Sequence, residues 1–338
     1  LFELVKEEIS KDKNLLIVDK NLEYYNHFYD ELISKGYNIK VINFNEPLKS
    51  NGWDPIQYIS YLYKNKKIDK AIEKIKQMGL YLFPQECSGS DPFWSNMAAN
   101  YFIGAVLSLI KITNETKNDN ECTFTSIYNI INDGEILFDD KLLMKKYLEN
   151  IDSMDPIYIA LSPIVLAPRD TRESILSVVK QNLNNLFLRP ELLQSFYNNE
   201  FKVSDINAKT AIFVINYNPI KFLSNILIEQ VYDYTINNNI NMTFVLDNFD
   251  SLSKIDSLED MIESANEEKN KLFIGLKNEE KILNLYNKYI FSDIEKVIKL
   301  NEKLELSLNS IEKELPNLKN EVPKYLNFKE YVINSNNN

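Results

Sequence analysis

The sequence predicts an α/β fold in which a mainly parallel sheet carries an inserted all-α subdomain. Two observations lead to this class. Residues 14–44 have the pattern of a strand, an amphipathic helix and a second strand, and such a unit requires a parallel pair with a right-handed crossover. Strand-like apolar runs return only after about residue 208, and helical patterns dominate the stretch between.

Five stretches of strand length are predicted as strands, and the apolar run at 242–247, which is bounded by polar turns, is typical of a strand buried on both faces. The predicted strands are 14–18, 39–44, 211–215, 242–247 and 272–276. The first run leads into Asp19, and the fourth ends in Asp247. Parallel strands present their carboxyl ends at one edge, where open α/β sheets bind ligands, so both acids are expected there. The competing interpretation is that Asp247 only caps the helix that follows.

Helical periodicity fills the segments between and around these strands. Helices are predicted at 1–13, 22–35, 57–77, 92–112, 219–236, 258–266, 279–286 and 294–315. The expected domains are 1–90, the first part of the α/β core; 91–200, an all-α insertion; and 201–330, the second part of the core with a C-terminal helix. Large apolar residues at helical spacing predict that the insertion has its own small core around Phe93, Trp94, Phe102 and Leu107.

Composition and charge limit the class of protein. A formal net charge of −11 argues against an autonomous nucleic-acid binder, which needs clustered Lys and Arg. Cys87 and Cys122 give neither a metal spacing nor a disulfide framework, and they indicate a reduced, cytoplasmic environment. The single histidine, His27, is expected on the surface of a helix. No apolar run approaches the roughly 20 residues of a membrane span.

Several short stretches, taken in order over roughly residues 14–300, resemble one family. They are Val18-Asp19-Lys20-Asn21-Leu22-Glu23, Gly36-Tyr37 followed by Ile39, Val41 and Asn43, Ser50-Asn51-Gly52-Trp53-Asp54-Pro55, Asp91-Pro92-Phe93-Trp94, Thr171-Arg172 followed by Ser174, Lys209-Thr210-Ala211, and Leu246-Asp247-Asn248-Phe249. In these stretches the chain resembles the coupling proteins of type IV secretion systems, the TraG-like conjugative DNA-transfer ATPases.

The resemblance implies a P-loop NTPase-like (RecA-like) fold and a role in linking a DNA substrate to the translocation channel. If a phosphate-binding glycine motif lies upstream, the resemblance further implies ATP and Mg²⁺ as cofactors, and otherwise none. Asp19, Lys20 and Asp247 are then the nucleotide-binding residues, with Asp247 as the magnesium-side acid. An active member is expected to work as a hexameric ring on DNA at the inner face of the cell membrane, together with other secretion proteins.

The departures from the family pattern fall on the catalytic residues. No G-x-x-x-x-G-K-[ST] motif occurs, and because the chain starts at Leu1 rather than Met, that motif is expected in a removed upstream segment. Asn248 stands where the family has a glutamate, Lys277 and Lys281 replace glutamines, and residues 258–270 lack arginine. We therefore expect a degenerate ATPase, and the alternative is a non-catalytic adaptor or assembly protein that retains the fold.

Overall fold

The computed structural model describes residues 1–84, 91–267, 270–276, 286, 297–299 and 312–336. The chain divides into two compact units. The first, the sheet unit, comprises Leu1–Trp53 and Asn199–Lys319. The second, the helical unit, comprises Asp54–Asn198 and Asn320–Asn338.

A six-stranded parallel sheet forms the centre of the sheet unit. The strands, in chain order, are β1 (Asn14–Val18), β2 (Asn38–Asn43), β3 (Leu137–Phe138), β4 (Lys141–Leu142), β5 (Thr210–Ile215), β6 (Met242–Leu246), β7 (Lys271–Leu276) and β8 (Val297–Lys299). The sheet has the order β2-β5-β1-β6-β7-β8, and β3 and β4 form a separate antiparallel hairpin in the helical unit. The five predicted strands are present, and β8 is an addition to them.

The central strand explains why this sheet forms. All five residues of β1 are buried, and it pairs with β5 on one side and β6 on the other. An uninterrupted apolar run has no polar face to leave in water, so it suits a strand covered on both faces. Leu15 and Ile17 join a buried cluster with Phe213 of β5 and Phe28 of the following helix. Burying each such side chain contributes about 1.5–3 kcal/mol.

The helices fill the segments between the strands. In chain order they are α1 (Phe2–Ser10), α2 (Glu23–Ser34), α3 (Pro55–Lys64), α4 (Ile68–Leu82), α5 (Phe93–Thr116), α6 (Phe124–Asp133), α7 (Leu143–Glu149), α8 (Pro156–Val165), α9 (Arg169–Phe187), α10 (Pro190–Asn198), α11 (Phe222–Asn237), α12 (Leu258–Asn266) and α13 (Phe328–Asn336). After α2, Gly36 turns the chain towards β2 with φ of +76°, a left-handed conformation that glycine adopts without a steric cost.

The prediction of a helix at 294–315 is wrong for the residues of this range that the structure describes. Val297–Lys299 form β8, which pairs with β7, and residues 312–319 have no regular structure. This last segment lies along α2, where Lys313 donates its backbone N–H to Asn26 and Tyr25 donates its hydroxyl to the carbonyl of Glu314. The alternation of charged and apolar residues suggested a helix, but here the chain has no regular structure and is held by contacts with α2. The helix predicted at 279–286 falls outside the described residues except for Tyr286.

Helix α5 is the centre of the helical unit, where it packs against α4, α6, α8 and α9. Phe102 and Leu107 are buried in this core, as predicted. Phe93 and Trp94 are not, since their side chains are 40% and 38% exposed and form an edge-to-face pair at 5.1 Å. Helix α4 ends at Leu82 and meets α5 near Ala99, so it does not cover these two rings in the first turn of α5.

The observed division of the chain differs from the expected domain bounds at residue 90. Helices α3 and α4, which were placed in the α/β core, pack on each other and on α5 and belong to the helical unit. The C-terminal helix α13 also belongs there, because it packs on α6 and α7 with Phe328 fully buried. By length and apolar composition α5 could also cross a membrane, although most of its apolar window is buried in the protein.

The single histidine and the two cysteines were also the subject of predictions. His27 is exposed on α2, as predicted, and its ring contacts Phe2 and Phe28 edge-on. Cys122 is a buried free cysteine, and burial raises the pKa of its thiol to about 11, so it is unreactive at neutral pH. Cys87 lies outside the described residues.

Candidate functional site

Two acids meet at the carboxyl edge of the parallel sheet. Asp19 directly follows β1 and Asp247 directly follows β6, and these strands are neighbours with Val18 opposite Leu246. The predicted placement of both acids at one edge is therefore confirmed. Their side chains, however, make different contacts.

Asp19 caps helix α2. Its Oδ1 accepts a hydrogen bond from the backbone N–H of Glu23, and its Oδ2 accepts one from the N–H of Tyr25, both at 2.9 Å. Leu22, which has φ of +60°, turns the chain between the strand and the helix. The Asp19 side chain is 1% exposed. Both oxygens thus satisfy amides at the first turn of a helix, which is a structural role.

Burial raises the pKa of Asp19 to about 7, although the two backbone hydrogen bonds act in the opposite direction. The negative charges of Glu23 and Asp247 raise the pKa further. This folded-state pKa exceeds the value of about 3.9 for an unfolded aspartate. The stability that Asp19 contributes is therefore complete below about pH 4 and is lost as the pH rises through 7.

Asp247 is half-buried and also accepts hydrogen bonds from the protein. Its Oδ2 accepts a bond from the hydroxyl of Tyr24 at 3.3 Å, and its Oδ1 accepts one from the backbone N–H of Asn248 at 2.8 Å. Asn248 is 7% exposed and has φ of +50°. On the neighbouring strand, a Cβ at Gly275 would lie 2.5 Å from Oδ1, so only glycine leaves room for this carboxylate.

Tyr24 is a residue of this site that the sequence analysis missed. It is 2% exposed, and its ring stacks on Phe2 with centroids 4.3 Å apart. Burial and the adjacent carboxylate of Asp247 both raise the pKa of its hydroxyl, which therefore stays protonated and donates. The one signal in the sequence is its position in the first turn of a helix that begins at the carboxyl end of a strand.

The carboxylates at this edge are already engaged by protein donors, which bears on the Mg²⁺ that the resemblance implies. Magnesium takes several oxygen ligands in octahedral geometry, and here an ion would share each oxygen of Asp247 and Asp19 with a hydrogen bond. Within the described ranges, no group of three or more His, Cys, Asp or Glu side chains could hold a metal ion. Lys20 is exposed at this edge, and its contact with nucleotide stays a prediction. Lys277 and Lys281 lie outside the described residues.

The parallel sheet, with acids at its carboxyl edge and a helical block inserted in the chain, has the α/β architecture of the RecA-like P-loop NTPase fold, which the solved structures described below share. The family model for type IV secretory system conjugative DNA transfer matches residues 6–293, and the chain belongs to this family. No curated protein matches the chain by sequence.

Solved structures of the conjugative coupling protein TrwB share the fold. The unbound monoclinic form of TrwBdeltaN70 has a TM-score of 0.55 at 15% identity, over 87% of this chain and 62% of that one. TrwB in complex with ADP and Mg²⁺ gives the same score and identity, over 87% and 64%. TrwB with the ATP analogue ADPNP has a TM-score of 0.53 at 13% identity, over 86% and 63%. The chain thus spans less than two thirds of these structures.

Proposed function

We propose that this chain acts in conjugative DNA transfer as a coupling-protein-like component that links the DNA substrate to the translocation channel without hydrolysing ATP. Membership of the conjugative DNA-transfer family supports the first part. The observation that carries the second part is the sheet edge itself, where Asp247 is followed by Asn248 and bonded by Tyr24.

The chemistry of Asn248 argues against catalysis. A general base must take a proton from the attacking water, and a carboxamide cannot do so as a carboxylate can. The acid beside it, Asp247, already accepts the hydroxyl of Tyr24, so a metal ion would compete with that contact for the Oδ2 atom. Losing one charge-stabilising group commonly lowers a reaction rate by about 10²–10³. Here Asn248 replaces a glutamate, and residues 258–270 also lack the arginines that the family pattern has.

The partners and location are parts of the same proposal. We place the chain in the cytoplasm at the inner face of the cell membrane, in contact with other type IV secretion proteins. DNA would be reached through a homo-oligomeric ring, a hexamer by resemblance, because a single chain with a net charge of −11 is a poor nucleic-acid binder. ADP, an ATP analogue and Mg²⁺ are bound by TrwB, and their binding here would be weak.

The alternative is a non-catalytic adaptor or assembly protein that retains the NTPase fold, which the same contacts at Asp247 allow. Sedimentation of the purified chain with and without single-stranded DNA separates the two functions. A coupling role predicts that several copies assemble into a ring when DNA is added. An adaptor is expected to sediment in the same way with and without DNA.

We expect no ATP turnover by this chain above that of its Asp247→Ala variant. The reason is that Asn248 stands in place of a carboxylate residue and that both oxygens of Asp247 already accept hydrogen bonds. Steady-state phosphate release, measured with Mg²⁺ and with DNA present and absent, provides the test. Turnover that exceeds the variant and depends on Asp247 would show that other residues have taken over the missing roles, and the proposal of a non-hydrolysing component would fail.

A further inference from the structure

We propose that Tyr24 takes the place of the metal ion at this sheet edge: its hydroxyl holds Asp247 and keeps Mg²⁺ away from the carboxylate. This inference rests on the proposed function, because it explains how a member of an NTPase-fold family keeps the edge intact without nucleotide. It assigns a role to a residue that no sequence motif marks.

The position of Tyr24 is fixed from both sides. Asp19 binds the N–H groups of Glu23 and Tyr25, the two residues that flank Tyr24, and so fixes the first turn of α2. On the other side, the Tyr24 ring lies parallel to Phe2, with 12° between the ring planes. One acid of the edge therefore positions the tyrosine that binds the other acid.

Both oxygens of Asp247 lie against neighbouring protein groups. Gly275 lies against Oδ1, which also accepts the Asn248 N–H, and the Tyr24 hydroxyl approaches Oδ2. A magnesium ion binds oxygen at about 2.0–2.1 Å and keeps several waters, so it needs a solvated face of the carboxylate. Asp247 is half-buried, and its Oδ2 atom already accepts the hydroxyl of the buried Tyr24, so an ion has to compete with this contact.

Tyr24→Phe is the sharpest test, because it removes one oxygen and keeps the ring on Phe2. We expect this variant to bind Mn²⁺, used as a spectroscopic substitute for Mg²⁺, about five- to tenfold more tightly than the native chain, the factor expected for one hydrogen bond. The measurement is the electron paramagnetic resonance signal of free Mn²⁺ without nucleotide. The gain should vanish in Tyr24→Phe/Asp247→Asn.

Tyr25→Phe is the matched control, since it removes a neighbouring hydroxyl that donates to Glu314 and leaves the Tyr24 contact in place. It should bind Mn²⁺ as the native chain does. Equal Mn²⁺ binding by Tyr24→Phe and the native chain would overturn the inference, and so would a gain that survives Asp247→Asn. If Tyr24→Phe does not fold, Phe2→Ala is titrated in its place, because it removes the ring that stacks on Tyr24. A gain in Mn²⁺ binding that depends on Asp247 supports the inference, and no gain overturns it.

The two proposals fail separately. ATP turnover that depends on Asp247 would refute the proposed function whatever the Mn²⁺ titrations give. A Tyr24→Phe variant that gains no Asp247-dependent Mn²⁺ would refute the tyrosine's role while leaving the absence of turnover in place.

Discussion

Replacing Gly104 with alanine is expected to destabilise the helical unit by about 1–3 kcal/mol, whereas the same replacement at Gly79 is expected to stabilise it by up to about 1 kcal/mol. Both glycines lie inside helices, Gly104 in α5 and Gly79 in α4. A Cβ at Gly104 would lie 2.6 Å from Cδ2 of Leu161 on α8 and closer still to its Cγ, so the side chain or the helix must shift. A Cβ at Gly79 would meet only the Cβ of Ala99, at an ordinary 3.6 Å.

Urea unfolding followed by circular dichroism measures both variants, and the pair controls for the general effect of alanine on helix propensity. Leu161→Ala gives a further check, because it removes the atoms with which the new methyl group collides. Residues in contact are not additive, so Gly104→Ala should cost less in the Leu161→Ala background than in the native chain. Destabilisation of similar size at Gly79 and Gly104 would show that the α5–α8 contact does not decide the outcome.

Much of the sheet could be predicted because its central strands are apolar runs. Leu15 to Val18 and Ala211 to Ile215 contain no polar residue, and a strand buried on both faces accommodates such runs between turns. The short strand β8 could not be predicted. Its three residues lie in a charged stretch whose spacing also suits a helix, and only pairing with β7 determines its conformation.

The division of the chain was less predictable than its elements. The amphipathic pattern of α3 and α4 shows that each has a buried face, but it does not show which part of the protein covers that face. The pattern had the same limit at Phe93 and Trp94, whose helical spacing indicated a core position although they precede the covered part of α5.

The site shows the same limit at the level of single contacts. Asp19 and Asp247 could be placed at one edge, since their strands are parallel and each acid follows its strand directly. The contact between Tyr24 and Asp247 joins residues 223 positions apart, and no local pattern encodes such a pair. Asp19 caps the helix that follows its strand, as its two backbone hydrogen bonds establish. Asp247 accepts the N–H of the next residue, Asn248, which precedes a short 3₁₀ helix at Phe249–Ser251.

Replacing Asp54 with alanine is expected to destabilise the helical unit by about 2–6 kcal/mol, because two buried amides lose their acceptor at about 1–3 kcal/mol each. The Oδ1 atom of Asp54 accepts a hydrogen bond from the N–H of Ile56, in the first turn of α3, at 2.8 Å. The Oδ2 atom accepts one from the N–H of Phe124, the first residue of α6, at the same distance of 2.8 Å. One carboxylate that is fully buried therefore caps two helices.

Hydrogen exchange locates this effect, because protection should fall first at the amides of Ile56 and Phe124 and then along α3 and α6. Asp54→Asn keeps one acceptor oxygen and should lose about half as much stability as Asp54→Ala. Unchanged protection at Phe124 in the alanine variant would contradict the double cap, since that amide has no other acceptor in the residues that the structure describes.

The loss of stability caused by Asp54→Asn should also depend on pH, and the burial of Asp54 sets the direction of this dependence. Burial raises the pKa of Asp54 to about 7, despite the two backbone hydrogen bonds that lower it. Since an unfolded aspartate has a pKa of about 3.9, the unfolded state binds fewer protons between pH 4 and 7, and the native chain loses stability as the pH rises through this range. The amide side chain introduced by Asp54→Asn does not titrate, so the free energy of unfolding that separates the native chain from this variant should be larger at pH 5 than at pH 8. Urea unfolding at the two pH values measures this free-energy difference. If the difference were larger at pH 8 than at pH 5, the two N–H groups, rather than burial, would decide the direction of the pKa shift of Asp54.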